Sequence, residues 1–142
     1  MSKADTTKRK KSEAPGFAGL PTQVQQAARA AQDKKAVDLT VLDVRTASSF
    51  TDYFVICSGA STRQVRAIAD AVEETLLKGR SKPAHVEGYD RAEWVLLDYF
   101  DFIVHVFTPT MREFYALERL WGSAERIPVP EGERPGAGEA GA

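Results

Sequence analysis

Trp94-Val-Leu-Leu-Asp-Tyr-Phe-Asp-Phe-Ile-Val-His-Val-Phe107 runs almost directly into Arg112-Glu-Phe-Tyr-Ala-Leu-Glu-Arg-Leu-Trp-Gly122, and these two stretches decide how the chain reads. Alternation puts Trp94, Leu96 and Asp98 on one face of a first strand, with Val95, Leu97 and Tyr99 on the other. Tyr99-Phe100-Asp101 is a tight turn into a second strand, Phe102–Phe107, so the pair forms an antiparallel hairpin. The Val95–Leu97 side is the natural core face. Trp94, Leu96 and Asp98 then turn outward, where an exposed Trp–Leu pair beside an acid is an interaction patch. If helices cover both faces of the sheet, Trp94 is core instead. His105 points opposite to Val104 and Val106, toward solvent or a partner. Thr110 and Glu113 have capping-box spacing, and Phe114, Leu117, Leu120 and Trp121 form the buried stripe of a helix that Gly122 ends.

Working outward, Tyr53–Cys57 is a short apolar run of aromatic and β-branched residues, which predicts a central strand. Val37–Val44 alternates and reads as another strand, joined to it by the polar segment 45–52. Pro21 and Thr22 open a first helix with Val24, Ala27, Ala28 and Ala31 on one stripe. A second helix starts at a Ser61-x-x-Gln64 capping box, buries Val65, Ile68, Ala69, Val72 and Leu76, and stops at Gly79. Arg63, Arg66, Asp70, Glu73 and Glu74 fall on its wet side. Pro83–Glu87 is short enough for an edge strand, and Gly88-Tyr-Asp-Arg-Ala-Glu93 turns the chain into Trp94. The order α-β-β-α-β-β-β-α predicts a single α/β (α+β) domain, a mixed five-stranded sheet covered by helices.

With 142 residues, 43% hydrophobic and 27% charged, the chain has room for one domain plus tails. The expected folded part is 22–128, flanked by a disordered basic tail (1–21) and a disordered Pro/Gly-rich tail (129–142). Cys57 is the sole cysteine, so no internal disulfide forms and a reducing cytoplasm fits. No apolar run approaches the length of a membrane span, and no apolar segment follows the N-terminal charges as in a secretory signal. The net charge of −1 hides an asymmetry: +3 in residues 1–21, −2 in 22–130 and −2 in 131–142. A slightly acidic ordered domain suits a basic protein partner better than naked RNA. Lys8-Arg-Lys-Lys11 reads first as a solvated tail and second as a weak, non-specific RNA contact.

Chemistry-bearing patterns are sparse. Two histidines, His85 and His105, and one cysteine lack metal-ligand spacing, so neither a metal nor a cofactor is expected. Cys57 sits in an apolar strand, where cysteine is usually a small buried hydrophobe, and nothing orients a Cys57–His105 catalytic pair. Ser58-Gly-Ala-Ser61, at a strand-to-helix junction, could cradle an anion through backbone amides. Nucleotidyltransferases use such a turn, but with two acids one residue apart to hold magnesium. Here the nearest pair, Asp98 and Asp101, lies three apart across a turn, so the capped helix start is the favoured reading.

The hairpin and final helix, with Asp52-Tyr-Phe-Val-Ile-Cys-Ser-Gly59 and Arg63-Gln-Val-Arg-Ala-Ile-Ala-Asp70, resemble the ribosomal silencing factor family (RsfS, also called Iojap) over roughly residues 23–128. The resemblance implies a nucleotidyltransferase-like topology that has lost its catalytic acids, and a non-enzymatic role. It implies binding to the large ribosomal subunit through ribosomal protein L-fourteen, steric blockage of subunit joining and repression of translation. By position it implies partner contacts at Tyr89, Trp94, Leu96, Asp98, Tyr99, Asp101 and His105, with Arg112, Glu113 and Tyr115 in a second rank. Trp94 and Tyr99 would be apolar anchors, and Asp98 and Asp101 would meet basic side chains. The tails have no usable counterpart in the family, and a weak contact of the basic tail with ribosomal RNA rests on its charge alone, second to the solvated reading. Monomer and homodimer both remain open for the free protein. A nucleotide-binding enzyme using the Ser58–Ser61 turn is the alternative. One departure concerns the turn: the family reads Tyr/Phe-Gly-Asp where this chain has Tyr99-Phe100-Asp101, so a positive φ there would strain Phe100 and bear on Asp101's placement.

Overall fold

The computed structural model describes residues 16–131. Its sheet is built from β1 (Val37–Asp43), β2 (Tyr53–Ser58), β3 (His85–Glu87), β4 (Trp94–Asp98), β5 (Phe102–Phe107) and β6 (Glu125–Pro128). Their spatial order is β3-β4-β5-β2-β1-β6. β2 and β5 pair in parallel, from Tyr53 opposite Phe102 to Ser58 opposite Phe107, and the other neighbours are antiparallel. The mixed sheet thus has six strands rather than five. The extra one, β6, buries only Ile127, opposite Val41, and ends in a proline, so neither alternation nor propensity announces it.

Among the described residues four α-helices cover the sheet: α1 (Thr22–Asp33), α2 (Thr62–Lys78), α3 (Pro109–Tyr115) and α4 (Leu117–Leu120). α1 and α2 lie on one face. Their predicted stripes are buried as expected, Val24, Ala27, Ala28 and Ala31 in the first, Val65, Ile68, Ala69, Val72 and Leu76 in the second. Beneath them lie Val41, Val55, Cys57, Val95, Leu97, Val104 and Val106. Each fully buried Val or Leu contributes about 1.5–3 kcal/mol of apolar transfer, so this larger cluster dominates stability. Ser61 caps α2 by accepting from the Gln64 N–H at 3.1 Å. The Gln64 side chain reaches back to the Ala60 N–H at 2.7 Å and also donates to the Lys34 carbonyl at 2.9 Å, pinning the end of α1. At the other end of α2 the left-handed residue is Arg80, with φ 67, while Gly79 keeps φ −91.

On the opposite face α3 and α4 replace the single expected helix. Ala116 stands between them in the left-handed region, φ 46 and ψ 56, and its N–H bonds to the Arg112 carbonyl at 2.8 Å. The break rotates the phase of the apolar stripe. Leu117 is buried and Trp121 half-buried, but Phe114 and Leu120 project into solvent at 74% exposure each. The expected Thr110–Glu113 box is not used, because the helix begins two residues earlier, with Thr108 at its N-cap and Pro109 in the first turn.

The folded boundary also differs from the expected residue 22. Phe17 and Leu20 are buried against the larger cluster, and the Arg29 guanidinium lies 4.7 Å from the Phe17 ring centroid. Beyond residue 128, the Pro130 carbonyl accepts from Arg29 at 2.9 Å and Gln32 at 2.8 Å. Phe17 and Leu20 are isolated apolar anchors inside a polar segment, and the Pro130 contact is made by backbone, so neither edge carries a periodic signal. The basic run Lys8–Lys11, and the tail from residue 132, lie outside the described residues.

At the hairpin, Phe100 does adopt positive φ, 72°. Its N–H donates to Asp98 Oδ1 at 2.8 Å and its carbonyl accepts from Thr51 Oγ1 at 2.7 Å, so the turn keeps its shape without glycine. The ring is 70% exposed. Phe100→Gly is therefore expected to stabilise the domain by about 1 kcal/mol, since left-handed strain outweighs the little apolar area lost. A lower urea midpoint would contradict this. Truncation after residue 15 should leave the midpoint unchanged, whereas truncation through Pro21 should cost about 3 kcal/mol or more by removing Phe17 and Leu20. Equal midpoints for the two truncations would mean neither side chain anchors the fold.

Candidate docking surface

β4 sorts its side chains as the alternation predicts. Val95 and Leu97 are buried under α1 and α2, while Trp94, Leu96 and Asp98 sit half-exposed on the opposite face. Directly across from them on β5 are Phe107, His105 and Ile103. This face carries a second, smaller apolar cluster of Leu42, Val44, Phe54, Ile56, Ile103, Phe107 and Leu117. α3 and α4 cover it only in part.

An aromatic ladder crosses it. Trp94 stacks on Phe107 with centroids 5.0 Å apart and meets Tyr115 of α3 at 4.5 Å. The Trp94 indole N–H donates to His105 Nδ1 at 3.1 Å. Phe54 sets its edge against His105 at 4.8 Å and against Trp121 at 5.2 Å, and Trp121 touches the exposed Phe50. Trp94 is thus neither fully outward nor core. It packs against Phe107, His105 and Tyr115 and stays partly accessible.

His105 departs from expectation. It lies on the predicted side of β5 but is only 4% exposed, because Trp94, Phe54 and Phe107 close around it. Since indole can only donate, Nδ1 is the unprotonated nitrogen and the ring proton sits on Nε2, which has no hydrogen-bond partner. Burial pulls its pKa down to about 3. His105 is a neutral strut of the ladder rather than a surface contact.

Tyr99 faces the other way. It is buried among the α1/α2-side residues, stacked on Phe102 at 4.9 Å, and so is unavailable as an anchor. Tyr89 also belongs to that side, packed on the larger cluster with its hydroxyl on Asp70 Oδ1 at 2.9 Å. Asp101 is exposed at the hairpin tip, next to Asp98 across the turn. Glu113 is exposed on α3 and Tyr115 is 43% exposed. Arg112 is committed internally: Nη1 donates to Ser58 Oγ at 3.1 Å, Nε donates to Glu118 at 2.9 Å, and Nη2 forms an ion pair with the same carboxylate. Trp94, Leu96, Asp98 and Tyr115 therefore share one surface with Asp101 near its rim, while Tyr89, Tyr99 and Arg112 do not present themselves there and Glu113 lines a separate groove with Arg119 and Arg126. Phe114, Leu120 and Phe50 are apolar residues of exposed segments that pattern reading missed. A helical stripe of period 3.6 hides the break at Ala116, which no glycine or proline signals.

The enzyme-like features resolve into structure. Gly59 N–H is bonded to the Phe107 carbonyl at 2.9 Å and Ala60 N–H to Gln64, so the amides that would cradle a phosphate are occupied. A Cβ at Gly59 would lie 3.0 Å from the Val65 nitrogen, which accounts for that glycine by packing alone. Cys57 is wholly buried and pushed up to about 12 by burial, offset in part by the Arg112 charge. It points to the α1/α2 side, away from His105, so the two cannot pair. Among the described residues no group of three or more His, Cys, Asp and Glu side chains converges as metal ligands would. No helix there is long and apolar enough to cross a membrane.

Buried neutral His105 makes stability pH-dependent. Below about pH 6.5 the unfolded chain binds a proton there that the folded chain refuses until about pH 3, so this contribution is present above 6.5 and is lost as pH falls through that window. Urea midpoints measured across it should fall more steeply for the wild type than for His105→Gln, which keeps an acceptor for Trp94. Parallel curves would mean His105 accepts its proton in place.

Comparison with known proteins gives the same family through a family model and through named relatives, and a similar fold among solved structures. Residues 18–141 match the protein-family model described as "Ribosomal silencing factor during starvation" (RsfS). A ribosomal silencing factor RsfS of Bacillus subtilis is 44% identical over 98 residues, 69% of this chain and 83% of that protein. A mouse protein named "Mitochondrial assembly of ribosomal large subunit protein 1" is 38% identical over 93 residues, 63% of this chain and 41% of that protein. Among solved structures, a Chromobacterium violaceum protein superposes with TM-score 0.69 at 33% identity, over 76% of this chain and 87% of the other.

Proposed function

The chain belongs to the ribosomal silencing factor family (RsfS/Iojap), and from that premise we propose that it acts in the cytoplasm by binding the large ribosomal subunit through ribosomal protein L-fourteen. Its role there is to prevent the small subunit from joining, and so to repress translation. The mechanism is occlusion by a rigid domain. It needs no turnover, only a surface that holds the domain in place.

The observation that carries this reading is the half-covered sheet face. Trp94, Leu96 and Tyr115 offer apolar and aromatic contact area, already ordered by the ladder beneath them, so little side-chain entropy is lost on docking. Asp98 and Asp101 at the hairpin tip supply negative charge for a basic partner. Tyr89, Tyr99 and Arg112 are excluded from the proposed contacts by their own packing, and His105 serves from beneath. The large subunit, rather than the small, is favoured by the name of the mouse relative. Against the nucleotidyltransferase alternative stand the occupied amides at Gly59 and Ala60 and the lack of a second acid beside Asp98 on its strand.

Co-sedimentation with purified large subunits, small subunits and joined particles tests the proposal. Wild-type protein should pellet with large subunits only, and Asp101→Lys should lower that binding at least tenfold by placing like charge against a basic partner. Asp98→Lys should do the same, with some loss of stability because Asp98 also caps the Phe100 amide. Binding to small subunits alone, or none at all, would overturn it.

A further inference from the structure

α3 and α4 have a thin apolar grip on the sheet they cover, made mostly by partly buried side chains: Met111 and Trp121 against the smaller cluster and Tyr115 against Trp94. α3 has no buried side chain, α4 has only Leu117, and Phe114 and Leu120 point into solvent. Seven- and four-residue helices do not persist on propensity alone. A polar tie adds to that thin contact. Arg112, on α3, bridges Ser58 at the end of β2 and Glu118 on α4, across the left-handed joint at Ala116. The pair is well shielded, with the two side chains 14% and 16% exposed. Tyr115 lies between these two residues in sequence and packs on Trp94 and Phe107.

We propose that Arg112 and Glu118 form a latch that seats α3 and α4 over β5, making Arg112 a positioning residue that builds the docking surface without touching the partner. This rests on the proposed ribosome-binding role of that surface. A surface ion pair would hold little. A shielded one with three hydrogen bonds from one guanidinium holds more, and losing either partner leaves the other charge poorly solvated. Burial alone would push Glu118 up, yet the Arg112 guanidinium bonded to it holds the carboxyl below its ordinary value. With the latch open, Tyr115 loses its fixed place beside Trp94, and only the seated fraction of molecules is competent to dock.

A double-mutant cycle separates a latch from a contact. Full-length wild type, Arg112→Gln, Glu118→Gln and the double variant are compared by binding to purified large subunits and by amide hydrogen exchange. For a latch, each single substitution weakens binding about tenfold, the apparent affinity following the seated fraction, and the double variant is no worse than either single. Exchange quickens in residues 109–120 while α2 and the central strands stay protected. If Arg112 instead contacts the partner, Glu118→Gln leaves binding intact or improves it and exchange in 109–120 does not change; that result overturns the latch. Uniformly faster exchange across the sheet overturns it too, since the pair would then support the whole fold. Should wild type fail to bind large subunits, the docking role falls, and the exchange profile still decides whether the latch exists.

Discussion

Parallel pairing of β2 with β5 is the constraint on which the remaining structure depends. Every residue of both strands is buried. A strand buried on both faces exposes two sets of apolar side chains that helices must cover, and a parallel pair needs a long crossover between its members. α2, β3 and β4 all lie within that crossover. α2 spends its length on one face with α1, and what remains for the other face is the short segment after β5.

The two faces are consequently unequal. One carries two full helices over a broad aliphatic cluster and holds most of the apolar burial. The other is roofed by eleven helical residues and filled with rings: Trp94, His105, Phe107, Phe54, Trp121 and Tyr115. Aromatic side chains suit a thin roof, because a large flat ring can bury one side and stay accessible on the other. The same property makes that face suited to a partner. The core on the helical side supplies the rigidity, and the ring-filled side is the one proposed for recognition.

Polar groups on the thin side are spent on shape. Asp98 and Thr51 hold the Phe100 turn, Trp94 is fixed by His105, and Arg112 joins three elements. Each of these groups sits where a sequence reader would look for catalysis or contact. The neutral state of His105 belongs with them: a charged imidazole would be ill solvated among rings, so burial selects the form that can accept from Trp94.

Sequence by itself determined the α/β class, the α1 and α2 stripes, the central β2 and the hairpin. These follow from periodicity, capping and turn chemistry, which act between residues close in the chain. It also identified the family, through motifs spread over the whole fold. It could not determine which faces end up covered, because that depends on segments far apart in the chain. β6 forms only because β1 offers an edge, Phe17 is ordered only because Arg29 and the larger cluster receive it, and His105 is enclosed only once Trp94 and Phe54 meet. The break at Ala116, with the outward turn of Phe114 and Leu120 that follows, carries no local signal at all. Tertiary packing settled it, since Arg112 can reach Glu118 and Ser58 together only when the helix stops there.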